Sequence, residues 1–267
     1  MTSLIDIGDC RIACTVTGTG PPLLLMHGAE GNHHMFDALV EHLAADFTVI
    51  AYDQRDCGDT RNPERATSLN ELAQDAAALL ETLGHTKAHV YGTSFGGRVA
   101  QALAHERPQV VDRLVLGSTW ALPSALAALN PDAVQEIQRL RANLPDSAEA
   151  LAGFFLPQDF LDIRPELKDL FRHVQAQSPR SIRRQAAVAE CPPLEPGRLR
   201  TQTLVLAGEL DRVVPPALTV ALGQAIPGAR VVLLPGVGHA AAVQAADQVA
   251  AHIRDFCLAS SISASKA

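Results

Sequence analysis

Val90-Tyr91-Gly92-Thr93-Ser94-Phe95-Gly96-Gly97 is a β-type run that breaks into a Gly-x-Ser-x-Gly turn and then into a helical pattern. A turn this sharp forces the serine into a strained backbone conformation, so that its hydroxyl projects from the end of a sheet while the next helix points its N-terminus at the same place. Gly92 and Gly96 flank it because a Cβ at either position is expected to collide with neighbouring backbone.

Working outward, the same strand-to-helix alternation extends in both directions. Residues 4–7 and 11–16, separated by Gly8-Asp9, read as an N-terminal hairpin. Leu23-Leu24-Leu25-Met26 is a continuous apolar run of the kind a strand buried on both faces requires, and it ends in the small-residue loop His27-Gly28-Ala29-Glu30-Gly31-Asn32. A helix is expected over 33–45, a strand over 47–52, a helix over 68–83, a strand over 86–91, a helix over 96–106 closed by Pro108, and a strand over 113–117. Such order predicts a mainly parallel sheet with right-handed crossovers and helices on both faces. The charges of Asp53-Gln54-Arg55-Asp56 are read as a solvated loop, and Asp75 and Glu81 as the wet face of their helix.

Between residues 121 and 197 no convincing strand occurs. Asn130-Pro131, Asp146, Arg164-Pro165 and Ser178-Pro179 each precede an apolar run at helical spacing, the last three over 148–156, 167–174 and 182–189. Sheet pattern then resumes, with strands over 203–207 and 230–234, a helix from Pro215 or Pro216 to about residue 225, and a closing helix to about residue 258. The expected organisation is a core of residues 1–120 and 198–258, a helical insertion of 121–197, and a frayed tail of 259–267.

Composition sets the outer limits. The 267 residues are 47% hydrophobic and 19% charged, which fits one large globular α/β domain. A net charge of −7 with no Lys/Arg-rich run argues against a nucleic-acid surface, and no apolar run is long enough to span a bilayer. The N-terminus carries neither a basic nor an apolar leader region, so a cytoplasmic location is expected. Cys10, Cys14, Cys57, Cys191 and Cys257 show no metal-type spacing and read as free thiols, the ten histidines are scattered, and neither a metal nor a cofactor is implied. A homo-oligomer stays open.

Ser94, Asp211 and His239 each fall just past an expected strand, and those positions share one edge of a parallel sheet. Their order in the chain is the one expected around a serine at a nucleophile elbow. A serine hydroxyl attacks poorly until a neutral imidazole accepts its proton, and the imidazole needs a carboxylate to fix its tautomer. Glu209 rivals Asp211 for the acid role; Asp211 is preferred because it follows the strand by a full turn and leads into Val213-Val214-Pro215. His27, His33 and His34 are near enough to touch a substrate, although loop-shaping or surface roles are the simpler reading for them. His27 is carried forward as a candidate pocket residue.

These motifs, His27-Gly28, Asp53-Gln54-Arg55 with Gly58, the Ser94 turn, Gly208 to Asp211 with Pro215, and Gly238-His239, together resemble the α/β-hydrolase-fold serine hydrolases across about residues 21–256. The members it resembles include small esterases, enol-lactonases and polyketide methylesterases; the segment from Asp53 to Gly58 is similar to that of small esterases of the polyketide methylesterase kind, with Asp56 standing where many members have glycine. The resemblance implies an α/β fold with about eight mainly parallel strands and a helical cap. It also implies Ser94 as nucleophile, His239 as base, Asp211 as orienting acid, and the backbone N–H groups of Ala29 and Phe95 as an oxyanion hole. Trp120, Phe154, Phe155 and Phe160 are candidate pocket residues, since a cap laying apolar side chains over the site selects apolar groups and excludes water. The expected activity is hydrolysis of a small, fairly apolar carboxylic ester. Enol-lactone opening, C–C hydrolysis of a diketone-like substrate, perhydrolase activity and a catalytically silent ligand-binding protein are the alternatives, and an aspartate-based dehalogenase is disfavoured by the serine.

Overall fold

A computed structural model describes residues 1–29, 31–172 and 178–259. The chain runs through β1 (Ser3–Ile7), β2 (Cys10–Thr17), β3 (Pro22–Met26), a 3-10 turn (His33–Phe36), α1 (Asp37–Leu43), β4 (Thr48–Tyr52), α2 (Leu69–Thr82), β5 (Ala88–Thr93), α3 (Phe95–Glu106) and β6 (Val111–Gly117). Six helices follow without a strand: α4 (Leu126–Leu129), α5 (Pro131–Arg141), α6 (Ala148–Phe155), α7 (Gln158–Ile163), α8 (Glu166–Arg172) and α9 (Pro179–Ala189). A 3-10 turn (Pro196–Arg198), β7 (Gln202–Gly208), α10 (Pro216–Ala225), β8 (Arg230–Leu234), α11 (Ala241–Gln244) and α12 (Ala246–Cys257) complete it.

The eight strands form one sheet in the order β1-β2-β4-β3-β5-β6-β7-β8. β1 and β2 pair antiparallel, as does β2 with β4, and every pair from β4 across to β8 is parallel. Side-chain alternation in the central strands loads both faces. Leu24 and Met26 of β3 and Val90 of β5 join one apolar cluster with Leu72 and Leu79 of α2, Val99 and Leu103 of α3, and Leu222 of α10. Leu23, Leu25 and Tyr91 join the opposite cluster with Leu39 of α1 and Val249 and Ile253 of α12. Each such fully buried aliphatic side chain contributes about 1.5–3 kcal/mol. The strand order reverses at β3, whose neighbours are β4 on one side and β5 on the other, and in open parallel sheets the crevice beyond the strand ends at such a point receives ligands.

The expected helix over 33–45 opens as a 3-10 turn capped by Asn32, and the closing helix is two pieces, α11 and α12. Helices α4 and α7 are additional, being too short to show a period. The last two residues of the helix expected over 167–174, Glu30, and residues 260–267 of the expected tail lie outside the described residues.

The expected solvation of the charges after β4 and of Asp75 is overturned. Asp53, Gln54 and Arg55 are buried, and so is Asp75 at 7% exposure. Arg55 donates to both Asp75 oxygens, at 2.5 and 2.9 Å, and to Asp9 at 2.6 Å. Asp53 accepts from the His33 and Asp59 backbone N–H groups at 2.7 and 2.8 Å. These charges are buried because each is answered inside the fold, a circumstance that apolar periodicity does not reveal. Glu81, by contrast, is exposed and pairs with Arg107 at 2.5 Å.

Candidate active site

Ser94 stands between β5 and α3 with φ 54° and ψ −124°, a conformation costing a non-glycine residue about 1–3 kcal/mol. Three hydrogen bonds hold it there. The Ser94 N–H donates to Gly117 O at 2.9 Å, while its carbonyl accepts from the Gly97 N–H at 3.0 Å and the Thr119 hydroxyl at 2.7 Å. A Cβ on Gly92 would lie 2.4 Å from Gly96 O, and one on Gly96 would lie 2.2 Å from Met26 O. Both glycines are therefore demanded by backbone packed on backbone, which seats the elbow against the end of β3.

His239, in the loop after β8, brings Nε2 to 3.0 Å from Ser94 Oγ. Its Nδ1 lies 2.8 and 3.0 Å from the two oxygens of Asp211, which follows β7. The Val213 and Val214 N–H groups donate to Asp211 Oδ1 at 2.9 and 2.8 Å, so the turn Asp211-Arg212-Val213-Val214 fixes the carboxylate before it meets the imidazole. Glu209, the rival, is exposed and accepts from the Gly236 N–H at 2.8 Å instead. With a carboxylate on Nδ1, the Nε2 lone pair faces the serine hydroxyl, the arrangement needed to receive its proton.

The loop after β3 runs alongside. A Cβ placed on Gly28 would sit 3.5 Å from Ser94 Cβ and 3.8 Å from Ser94 Oγ, so the Gly28–Ala29 peptide starts next to the hydroxyl. Phe95 opens α3, where the first backbone N–H groups have no partner within the helix and the helix dipole favours negative charge.

His27 is fully buried, and both ring nitrogens are used by the protein. Nε2 accepts from the Gln54 N–H at 3.0 Å, which leaves the proton on Nδ1 to donate to Gly28 O at 2.7 Å. Burial, reinforced by the Arg184 charge, depresses its pKa to about 3. His27 therefore shapes the loop and has no surface to offer a substrate, which removes it from the pocket candidates. His33 is buried against Asp53 at 2.7 Å, and His34 is exposed beside Asp37 at 3.1 Å.

Of the aromatic candidates, Phe155 touches the His239 ring: its half-buried ring meets it edge-on at 5.5 Å, and its carbonyl accepts from the Ala240 N–H at 3.1 Å. Phe154 and Phe155 pack on a cluster of Trp120, Val213 and Val214, beside the Asp211 turn. Phe160 joins Phe155 and Phe171 in the neighbouring cluster of α6, α7 and α8. Trp120 is almost wholly buried, its indole N–H on Ser124 O at 2.9 Å.

Sequence reasoning missed a cationic group behind the loop. Arg180, Arg183 and Arg184 of α9 all reach the loops after β3 and β4. Arg183 holds Asp56 at 2.7 and 2.9 Å, which accounts for an acid at that position, and Asp56 takes a left-handed φ of 60°. The available signal was three arginines at i, i+3 and i+4 on one helix.

Residues 21–184 match the family described as alpha/beta hydrolase fold, and residues 173–266 match one described as TAP-like protein. Fluoroacetate dehalogenase from a Burkholderia species is 37% identical over 113 residues, which are 40% of this chain and 37% of that protein. The 2-(acetamidomethylene)succinate hydrolase of Mesorhizobium japonicum is 29% identical over 249 residues, covering 88% of this chain and 87% of the relative. Among solved structures, a thermophilic esterase from Thermogutta terrifontis superposes with a TM-score of 0.82 at 27% identity, over 96% of this chain and 98% of that one. The eight-stranded sheet, the family match across more than half the chain and the hydrolase names of these relatives agree: this chain belongs to the alpha/beta hydrolase fold family.

Proposed function

We propose that the protein is a serine hydrolase that cleaves a carboxylic ester of a small, fairly apolar substrate through an acyl-serine intermediate. The observation that carries this reading is the unbroken line Ser94 Oγ, His239 Nε2, Asp211, with 3.0 Å between hydroxyl and imidazole and 2.8 Å between imidazole and carboxylate. Ser94 Oγ attacks the ester carbonyl carbon as His239 Nε2 removes the hydroxyl proton, and Asp211 stabilises the resulting imidazolium. The carbonyl oxygen becomes an oxyanion facing the Ala29 and Phe95 N–H groups, donors that are each worth about 100- to 1000-fold in rate in such sites. Collapse of the tetrahedral species breaks the C–O bond, and the departing alkoxide takes the proton back from His239. Water, deprotonated by the same imidazole, then attacks the acyl-serine, and the acid leaves with Ser94 restored.

Residues 121–197 serve as the cap in this reading. An apolar substrate is supported by Phe155 against His239 and by the Trp120, Phe154, Val213 and Val214 cluster beside the Asp211 turn. The ester functions of the T. terrifontis structure and the hydrolytic function of the M. japonicum relative agree with it. Hydrolysis of p-nitrophenyl acetate and butyrate by the wild type, lost together with fluorophosphonate labelling in Ser94→Ala, is the expected outcome. Labelling that persisted in Ser94→Ala would overturn the assignment.

A further inference from the structure

Arg184 is only 2% exposed, yet among the described residues no carboxylate lies within ion-pair distance of it. Its hydrogen bonds go mainly to loop backbone instead: Nε donates to Ala29 O, Nη2 donates to Gly28 O at 3.4 Å and to the Gln54 side-chain oxygen at 2.9 Å. Its guanidinium also lies 4.6 Å from the centre of the Phe95 ring. A buried cation without a counter-charge is costly, and burial of this kind is ordinarily answered by pairing. Here the positive charge is spent on the carbonyls of the two residues that lead into and out of the Gly28–Ala29 peptide.

The geometry of that peptide gives the arrangement a chemical consequence. In a trans peptide the C=O and N–H point in opposite directions, so groups that grip Gly28 O from behind hold the Ala29 N–H forward. His27 Nδ1 donates to that same oxygen at 2.7 Å. Two donors on one carbonyl polarise the peptide and strengthen its N–H as a donor in turn. Arg184 therefore fixes the direction and the strength of one proposed oxyanion donor while stacking on the residue that supplies the other.

The helix carrying Arg184 is itself tied down by its neighbours. Arg183 pairs with Asp56 at 2.7 Å, and Arg180 donates to Cys57 O at 3.0 Å and Thr60 O at 3.1 Å. Gln54, which shares Arg184, donates to His27 O at 2.7 Å, closing the ring around the loop.

We propose that Arg184 is a positioning residue of the oxyanion hole, supplied by α9, so that the hole reaches its working geometry only with α9 seated on the β3 and β4 loops. The proposal rests on the serine-hydrolase reading above and adds to it a residue that touches no substrate.

The test compares the full-length wild type with Arg184→Met, which keeps the stem over Phe95, and Arg184→Lys, which keeps the charge but not the fork. On p-nitrophenyl butyrate, kcat is expected to fall about 10- to 100-fold in Arg184→Met, short of the loss of a whole oxyanion donor, with KM within about threefold. The affinity of an aryl trifluoromethyl ketone, whose serine adduct carries the oxyanion, should fall in proportion to kcat. Arg184→Lys should lie between the two. A wild-type kcat in either variant, or a loss confined to KM, overturns the proposal. If Arg184→Met does not fold, Arg184→Lys decides by the same two readouts. Wild type labelled by a fluorophosphonate and Ser94→Ala unlabelled, with Arg184→Met as fast as wild type, removes the Arg184 role alone; persistent labelling in Ser94→Ala removes the underlying reading.

Discussion

His27 makes the fold sensitive to acid in a calculable way. Folded, its pKa is about 3 against an ordinary 6.5, chiefly because the ring is buried and also because Arg184 lies close. Protonating it would place an N–H on Nε2, facing the Gln54 N–H that now donates to that atom at 3.0 Å. Between those two values the unfolded chain takes up a proton that the folded chain refuses, so stability rises with pH across the window. The contribution is complete above about pH 6.5 and is lost progressively as the pH falls toward 3. Each pH unit inside the window costs on the order of 1 kcal/mol, so at pH 4.5 this single ring removes on the order of 2–3 kcal/mol. The assay is urea unfolding at pH 7 and pH 4.5 for the wild type and for His27→Gln, which retains an acceptor but cannot titrate. His27→Gln should be less stable at pH 7, yet its drop in stability between the two pH values should be smaller than that of the wild type by about 2–3 kcal/mol. Equal drops in the two proteins would refute the account.

Asp211→Asn leaves a neutral group against His239 Nδ1 at 2.8 Å and favours the wrong tautomer, so kcat for p-nitrophenyl butyrate should fall about 10,000-fold with the fold intact by circular dichroism. Asp75→Asn strips Arg55 of the partner that accepts both its Nε and Nη2, leaving a buried charge underpaired; chemical denaturation should show a loss of about 3–5 kcal/mol. Phe155→Ala removes the ring that meets His239 at 5.5 Å and opens the site to water, so kcat/KM should fall more for the butyrate than for the acetate ester, and an equal loss for both would count against a pocket role.

The parts legible in the sequence were those whose cause is local. Leu23-Leu24-Leu25-Met26 announced a two-faced strand because each face of β3 has its own apolar cluster to fill. Ser68 with Glu71 formed a reciprocal cap that starts α2 where the pattern placed it. The juxtaposition at the candidate site was legible for a related reason: in a parallel sheet the residues after β5, β7 and β8 must share an edge, so Ser94, Asp211 and His239 could be grouped from topology alone. The helical insertion between β6 and β7 was less so. Its helix starts showed as proline and cap residues, but α4 and α7 are each shorter than two turns and carry too few positions for a period to register.

Charge was where reading by residue type failed, and the failures are connected. A charged loop and a polar helix face are solvated unless something else in the fold answers them, and the answering groups here are remote in sequence: Asp75 for Arg55, 20 residues away, and Arg183 for Asp56, 127 residues away. Neither partner can be inferred from its own neighbourhood. What links them is position, because Gln54, Arg55 and Asp56 all leave the end of β4 beside β3, where Asp75 of α2 and the arginines of α9 reach them. That edge carries the turn at Ser94 as well. Burying polar groups there costs stability unless each is paired, and their pairing ties α2 to the loop after β4, and α9 both to that loop and to the carbonyls of Gly28 and Ala29. The residues that defied a sequence-level reading are thus those that fasten distant helices to this edge, α2 at the β4 loop and α9 at the loop beside Ser94 as well.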